Sequence, residues 1–149
     1  MTQAYTQRFT EVHELVGHLC DLADPGVYTT LNYRSMANHQ RAVAILVLGD
    51  MAQGGTIDLA LMQATDTAGT GAKAIAGKAI TQLTQAGGDG NDVCIIEVRT
   101  EELDVDGGFA YVGGILTVGT AAAEVAVIGL MGCSNYVPVS VANWTEIID

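Results

Sequence analysis

The sequence predicts an all-β protein, an antiparallel β-sandwich or barrel with extended segments at both ends. Short apolar or alternating runs recur along the 149 residues, and glycine clusters separate them. Glycine occurs 18 times and proline twice, which is typical of tight turns and bulges between strands. The pattern contains none of the long helices that would connect parallel strands, so a parallel α/β fold is disfavoured.

Residues 1–26 are predicted to form an N-terminal arm or an edge segment. Phe9, Val12 and Val16 follow helical spacing, yet the alternation from Val12 to Val16 also suits an extended chain. The sequence therefore leaves the conformation of this segment open. A turn over residues 24–26, Asp-Pro-Gly, ends it.

The sandwich is predicted to extend over residues 27–135. Residues 56–63 alternate between two sets of side chains, which is typical of a strand with one buried face. Residues 42–48 form a near-continuous apolar run, which predicts a strand covered on both faces. The predicted strands span residues 27–33, 42–48, 56–63, 93–99, 109–118 and 125–131.

The connections between these strands are predicted from small and polar residues. Residues 65–77 predict a long surface loop, although residues 72–83 could also contain a helical turn. Residues 87–92 form a glycine-rich turn cluster. Residues 136–149 mix polar and apolar side chains and are predicted to form an extended tail.

The charge distribution disfavours nucleic acids and anionic membranes as partners. The 17 acidic residues outnumber 6 basic ones, for a formal charge of −11, and the basic residues form no cluster that could bind phosphate. No apolar run approaches the roughly 20 residues of a membrane helix, and the N-terminal residues lack the pattern of a signal peptide. Three irregularly spaced cysteines predict free thiols in a protein made in a reducing cytoplasm.

Three motifs that could bind a ligand are incomplete. Lys78 lies in a glycine-rich segment, but alanines replace a glycine and the hydroxyl residue that a phosphate-binding loop requires. Residues 87–92 match one calcium-binding turn of a β-helix repeat, and a single copy lacks half of the ligands, so a hairpin turn is favoured. His13, His18 and Cys20 do not follow a zinc spacing and lack a fourth ligand.

The residues that could support catalysis also favour structural interpretations. Cys94 falls within a predicted strand, and the turn over residues 132–134 lacks the strand-to-helix elbow that exposes a nucleophile. Sugar-cleaving carboxylate pairs usually lie beside aromatic platforms, and aromatic residues make up 5% of the chain. We therefore expect no enzymatic activity, no cofactor and no metal. The acidic residues, predicted to form a solvated loop, are Glu97, Glu101, Glu102, Asp104 and Asp106.

Apolar residues near the two ends are candidates for contacts with other proteins. Buried aromatic anchors dominate the energetics of interfaces, and the predicted tail contains the single tryptophan. A tail that folds back over its own sandwich is the alternative. The candidate contact residues are Phe9, Val12, Tyr136, Val137, Pro138, Trp144 and Ile147.

From residue 27 to its end, the chain resembles a family of head proteins of tailed bacteriophages. The segments that carry the resemblance are YRSMANH at 33–39, QATD at 63–66, GTGAK at 69–73, LTQAGGD at 83–89, EELDV at 101–105 and YVPV at 136–139. The resemblance is specific as an ensemble of segments and weak at any single one. Residues 1–26 and the Asn38-His39 region are not matched to the family pattern.

This resemblance implies a capsid cement or decoration protein with a jelly-roll-like sandwich and no catalytic motif. Such a protein would bind the phage major capsid protein, cross-link neighbouring capsomers and associate with itself as a homodimer or homotrimer. It would be made in the cytoplasm of the bacterial host and would lie on the outside of the virion. The alternative is a carbohydrate-binding or host-adhesion module on the virion surface, which would require aromatic sugar platforms.

Overall fold

A computed structural model describes residues 8–132 and residue 146 of the chain. Its nine strands are β1 (His13–Ala23), β2 (Gly26–Ser35), β3 (Arg41–Met51), β4 (Thr56–Ala64), β5 (Lys73–Ala79), β6 (Leu83–Thr84), β7 (Val93–Arg99), β8 (Tyr111–Gly119) and β9 (Ala123–Gly132). One helix, α1 (Phe9–Val12), precedes β1, and two 3-10 turns, Gln85–Gly87 and Thr100–Glu102, lie in connections. No helix among the described residues is long and apolar enough to cross a membrane.

The strands form two antiparallel sheets with the connectivity of a jelly roll. One sheet has the order β1-β9-β3-β7, and the other has the order β2-β8-β4-β5, with β6 paired to β4. Among the eight long strands the first pairs with the last, the second with the seventh, the third with the sixth and the fourth with the fifth. This nested pairing folded into two sheets defines the jelly roll. The predicted fold class is confirmed.

Alternating apolar side chains of both sheets form the core between them. In β4, Ile57, Leu59 and Leu61 are buried together on the inner face, as the period-two pattern predicts. Facing residues of β3, among them Leu46 and Leu48, are also buried. The sandwich therefore depends on one shared apolar layer, and this layer sets the register of each strand.

Leu31 of β2 fills a space that glycines of two other strands leave free. Its side chain is fully buried, and a Cβ atom added to Gly129 of β9 would overlap Leu31 Cγ. A Cβ atom on Gly114 of β8 would lie 2.8 Å from Leu31 Cδ1. The β2–β8 pairing shifts register on both sides of Leu31, which is typical of a bulge. Glycine at position 129 thus permits the close approach of the two sheets, and glycine at position 114 leaves room for Leu31 within its own sheet.

The N-terminal segment combines the two conformations that its sequence leaves open. Residues Phe9–Val12 form one helical turn, and the chain is then extended through β1. β1 pairs with β9 along its length, with an irregularity next to Val16, and is an edge strand of its sheet. β1, which precedes the predicted division at residue 26, belongs to the four-stranded sheet.

The segment after β4 differs from the prediction. Part of the predicted surface loop at 65–77 belongs to β5, and the helical turn considered for residues 72–83 is wrong because β5 and β6 occupy this range. The physical reason is Ile75, which is buried against the core and holds the segment to the edge of the sheet. Glu146 is exposed, and the rest of the predicted tail lies outside the described residues.

The loop after β2 is tied to β1 and to the connection after β7. His39 Nε2 lies 3.6 Å from a carboxylate oxygen of Glu14, and the Thr100 hydroxyl donates to the His39 carbonyl at 2.6 Å. His39 Nδ1 is buried with no hydrogen-bond partner among the described residues. Burial lowers the pKa of His39 below 6.5, and the Glu14 carboxylate opposes this shift.

Replacement of Gly129 by alanine is expected to destabilise the protein by about 1–3 kcal/mol, because the new methyl group overlaps the fully buried Leu31 side chain. Denaturant unfolding at constant m value measures the loss. The matched control is Gly129→Ala in a Leu31→Ala background, where the methyl group has room. Equal costs in both backgrounds would contradict this account of the glycine.

The free energy of unfolding is expected to fall as the pH drops below 6.5, because the folded state disfavours protonation of His39. Below pH 6.5 the unfolded chain binds more protons than the folded chain. The stability that neutral His39 contributes is therefore fully present above pH 6.5 and is lost as the pH falls to the lower pKa of the folded state. His39→Gln should flatten this part of the pH profile in urea unfolding. Carboxylates with lowered pKa values change the free energy of unfolding at lower pH, around 4 and below, so they do not affect this range. Identical profiles for both proteins in this range would refute the assignment.

Candidate functional site

The four-stranded sheet carries apolar side chains on the face that points away from the core. Strand register aligns these residues into rows across β1, β9, β3 and β7. One row consists of His18, Ile128, Ile45 and Ile95, and the next consists of Cys20, Ala126, Val47 and Val93. We define the outer apolar face as Val43, Ile45, Val47, Val93, Ile95, Ala126, Ile128 and Leu130.

Several side chains of the outer apolar face are freely accessible. Val93 and Ile95, on the edge strand β7, are each 65% exposed, and Val47 and Ile128 are also exposed. Neighbouring side chains within the sheet cover the rest only in part. A contiguous exposed apolar patch on a soluble domain is typical of a surface that binds another protein.

The sequence-based interpretation of β3 is wrong in one respect. Residues 42–48 were expected to be covered on both faces, but Val43 and Ile45 are only half-buried and Val47 is exposed. The reason is that β3 lies between β9 and β7, and no described element packs on the outer side of this sheet. The continuous apolar run signals two apolar faces, of which the described chain covers one.

The outer face of the other sheet is more polar. One of its rows consists of Val27, Thr117 and Asp58, on β2, β8 and β4. Val27 is 69% exposed, but its neighbours in the row carry polar groups. The exposed large apolar side chains are therefore more numerous on the four-stranded sheet, which carries Val47, Val93, Ile95 and Ile128.

Charged residues lie at the two ends of the outer apolar face, along the strand direction. At one end, Arg41 is paired in register with Arg99, and Arg41 Nη1 donates to Glu97 Oε1 at 2.9 Å. At the other end, the Glu124 carboxylate lies across Gly49, at 2.9 Å from the place of a Cβ atom. One end of the patch thus carries two ion pairs, Arg41–Glu97 and Arg99–Glu101, and the other end carries the Glu124 carboxylate.

Lysines of β5 engage acidic residues of the connection between β7 and β8. Lys73 Nζ donates to Asp104 at 2.6 Å and lies 3.8 Å from the centroid of the Phe109 ring. Lys78 Nζ lies 2.8 Å from Glu102 Oε1. Hydrogen bonds from these lysines, before other causes, hold the pKa of Asp104 and of Glu102 below their usual values. The geometry shows an ion-paired loop, with Asp104 and Glu102 both engaged by lysines.

The other candidate ligands lie apart from one another. His13 stacks on Phe9, with ring centroids 4.2 Å apart, while His18 and Cys20 point outward from β1. The described residues contain no group of three His, Cys, Asp or Glu side chains that could hold a metal ion. Asp89, in the glycine-rich turn, accepts the Thr84 backbone N–H at 2.7 Å.

Cys94 is partly buried. It lies opposite Leu46 in the β3–β7 pairing and packs against the core. Burial, together with the nearby Asp92 and Asp89 carboxylates, raises the pKa of this thiol. The raised pKa disfavours the reactive thiolate form.

The predicted contact residues are only partly within the described chain. Phe9 is 53% exposed, whereas Val12 is 6% exposed and packs inward. Tyr136, Val137, Pro138, Trp144 and Ile147 lie outside the described residues. Their role in contacts stays a prediction. The outer apolar face was not among the predicted sites, although the apolar run of β3 was its signal.

Comparisons with known proteins give distant structural similarities. No protein-family model and no curated protein matches the sequence at a significant level. The chain is similar over 99% of its length to a chain in the cryo-EM structure of broad bean stain virus, covering 100% of that chain, with 11% identity and a TM-score of 0.49. It is similar over 86% of its length to a chain of the Gt strain of infectious bursal disease virus, covering 34% of that chain, with 11% identity and a TM-score of 0.42. The resemblance to phage head proteins therefore stays a prediction.

Proposed function

We propose that this chain is a structural virion protein that binds the outside of a phage capsid and stabilises it by cross-linking neighbouring capsomers. The observation that carries the proposal is the outer apolar face on an otherwise complete jelly roll. Val93 and Ile95 are each 65% exposed, so the fold itself does not require apolar side chains at these two positions. A partner protein that buries them would explain their apolar character, because burial of apolar surface drives association.

The edges of the two sheets offer further contact groups. β1 and β7 are the edge strands of one sheet, and β2 and β5 are edge strands of the other. Each has a side without a strand partner among the described residues, where backbone N–H and C=O groups can bind an added strand. These edges support binding to more than one neighbour at once.

The stabilising effect would be mechanical. A contact of standard size buries about 1,600 Å² in total, and several such contacts on one copy act together through a high effective concentration. A subunit that bridges two capsomers raises the work needed to separate them. The net charge of −11 suits an outward-facing surface, because like-charged particles repel one another.

The contacts with the major capsid protein are assigned to the two ends of the chain. Phe9 is exposed next to β1, and the residues after β9 include Trp144, the one tryptophan of the sequence. Aromatic anchors of this kind contribute about 2 kcal/mol or more when an interface buries them. The outer apolar face adds a further contact surface between these two ends.

We expect Trp144→Ala to weaken binding to expanded capsids that lack this chain by about 30-fold, which corresponds to about 2 kcal/mol. Binding is measured by co-sedimentation of purified chain with purified capsids. Val105→Ala, which truncates an exposed side chain in the connection between β7 and β8, is the control and should bind like the unchanged chain. Unfolding midpoints of both variants establish that the fold is retained.

Mass spectrometry of gradient-purified virions tests the proposal more directly. The chain should be present in a fixed ratio to the major capsid protein, and loaded capsids should rupture at a higher temperature than unloaded ones. Virions that lack the chain, or capsids whose rupture temperature does not change on loading, would overturn the proposed function.

A further inference from the structure

We propose that the cleft between the edge strands β1 and β2 binds one carboxylate group, carried by an acidic side chain of a partner protein or by a small organic acid. The two strands belong to different sheets and lie side by side at one margin of the sandwich. They enclose a cavity of about 260 Å³, lined by residues 15–18 of β1 and by Thr29, Thr30, Asn32 and Arg34 of β2. This inference goes beyond the proposed capsid role and does not depend on it.

Arg34 extends from the core-facing side of β2. It is paired in register with Val112 of β8, whose side chain is fully buried. Residues directly opposite each other on paired strands project to the same side of a sheet, and β2 is the last strand of its sheet. The exposed arginine therefore leaves the sandwich through the gap between the two sheets, where the cavity lies.

No carboxylate of the described residues forms an ion pair with Arg34. The structure pairs four other basic side chains with carboxylates: Arg41, Lys73, Lys78 and Arg99. An arginine without such a partner is conspicuous in a chain whose formal charge is −11. Its guanidinium group donates N–H groups in a planar fork that matches the two oxygens of a carboxylate. Arg34 is therefore available to a carboxylate from outside the sandwich.

Thr30 supplies a second polar group that lacks a partner. The residue is 2% exposed, and its hydroxyl oxygen Oγ1 is buried with no hydrogen-bond partner among the residues that the structure describes. A buried hydroxyl without a hydrogen bond destabilises a protein, and a ligand oxygen that accepts from this hydroxyl would remove the cost. β1 closes this side of the cavity, because a Cβ atom added to Gly17 would lie 2.6 Å from the Thr30 carbonyl oxygen.

Irregular pairing in both strands leaves room for the cavity. The β1–β9 pairing shifts register next to Val16, and the β2–β8 pairing shifts on both sides of Leu31. Both irregularities lie at the same level of the sandwich, since Gly17 crosses β2 at Thr30. Bulges change the direction of side chains and are frequent next to binding sites. The backbone is therefore irregular at the place where the polar side chains gather.

The chemistry and the size of the cavity favour a small carboxylate. Arg34 can only donate hydrogen bonds, the Asn32 amide and the threonine hydroxyls can also donate, and the lining residues include no acid. The volume of about 260 Å³ is less than that of pockets for drug-sized ligands, which start at roughly 300 Å³. The cavity can accommodate one acidic side chain or an organic acid of a few carbon atoms.

NMR titrations of the isotope-labelled full chain at constant ionic strength test the site. The first two probes are glutamate and glutamine with acetyl and N-methylamide caps, because they are similar in shape and differ in charge. Capped glutamate should shift the Arg34 Nε–H resonance and the backbone amides of residues 29–34, with a dissociation constant on the order of millimolar. Capped glutamine should leave these resonances unchanged.

Glutarate, a free organic acid, is the third probe and distinguishes the two sources of the carboxylate. Tighter binding of glutarate than of capped glutamate assigns the site to a small organic acid. The reverse order assigns it to an acidic side chain of a partner protein. Either order supports a carboxylate site in this cleft.

Arginine variants test the assignment of the charged group. Arg34→Gln should raise the dissociation constant for capped glutamate by more than about tenfold, because it removes the charged fork. Arg34→Lys retains the charge without the fork and should recover only part of the affinity. The matched control is Arg99→Gln, which removes an exposed arginine that already pairs with Glu101 and should leave the dissociation constant unchanged. Unfolding midpoints establish that each variant retains the fold.

Thr30→Val separates a binding role from a structural one. It replaces the buried hydroxyl by a methyl group, so the unliganded protein should unfold at a higher denaturant concentration. The dissociation constant for capped glutamate should nevertheless rise several-fold, because the ligand loses a hydrogen bond. An unchanged dissociation constant would overturn the assignment of Thr30 to the site.

Three results would overturn the carboxylate site as a whole. They are the absence of resonance shifts with both carboxylate probes, equal binding of capped glutamine, and an unchanged dissociation constant in Arg34→Gln. Increased self-association of Arg34→Gln without any carboxylate binding would show that the arginine instead protects the edge strand from strand addition. Co-sedimentation with capsids tests the proposed function separately, and its outcome leaves this inference unaffected.

Discussion

The nested pairing of strands is the constraint on which the rest of the structure depends. Because β9 pairs with β1 on one side and β3 on the other, the four-stranded sheet has a fixed order and a fixed register. The register decides which residues meet the core and which face outward. The strand pairing that aligns the buried side chains therefore also aligns the outer apolar face, row by row.

Much of the fold could be predicted from the sequence because strands leave a local signal. The alternation of β4 and the run of β7 are visible within a few residues, and β7 begins and ends where the pattern predicts. β5 was missed because its buried side is represented by one large residue, Ile75, among alanines, glycine and lysines. The order of strands in the sheets depends on contacts between distant segments, so local pattern does not predict it, and the resemblance implied only a jelly-roll-like fold.

The candidate surface was harder to predict for a related reason. An apolar residue in a strand indicates burial, but the pattern does not specify whether the same chain or a partner provides the cover. Val47 and Leu46 are both apolar and adjacent, yet only Leu46 faces the core. The two could be distinguished only once the sheet order showed that nothing described packs outside β3.

The position of β9 also has a consequence for synthesis. The ribosome completes β1 and β3 long before β9, so neither strand has its β9 partner until the chain is translated through residue 132. Pairing between such distant segments makes folding slow, and the apolar β3 stays accessible in the meantime. A low expression temperature or added chaperones should therefore raise the folded yield of this chain more than they raise that of a helical protein of the same length.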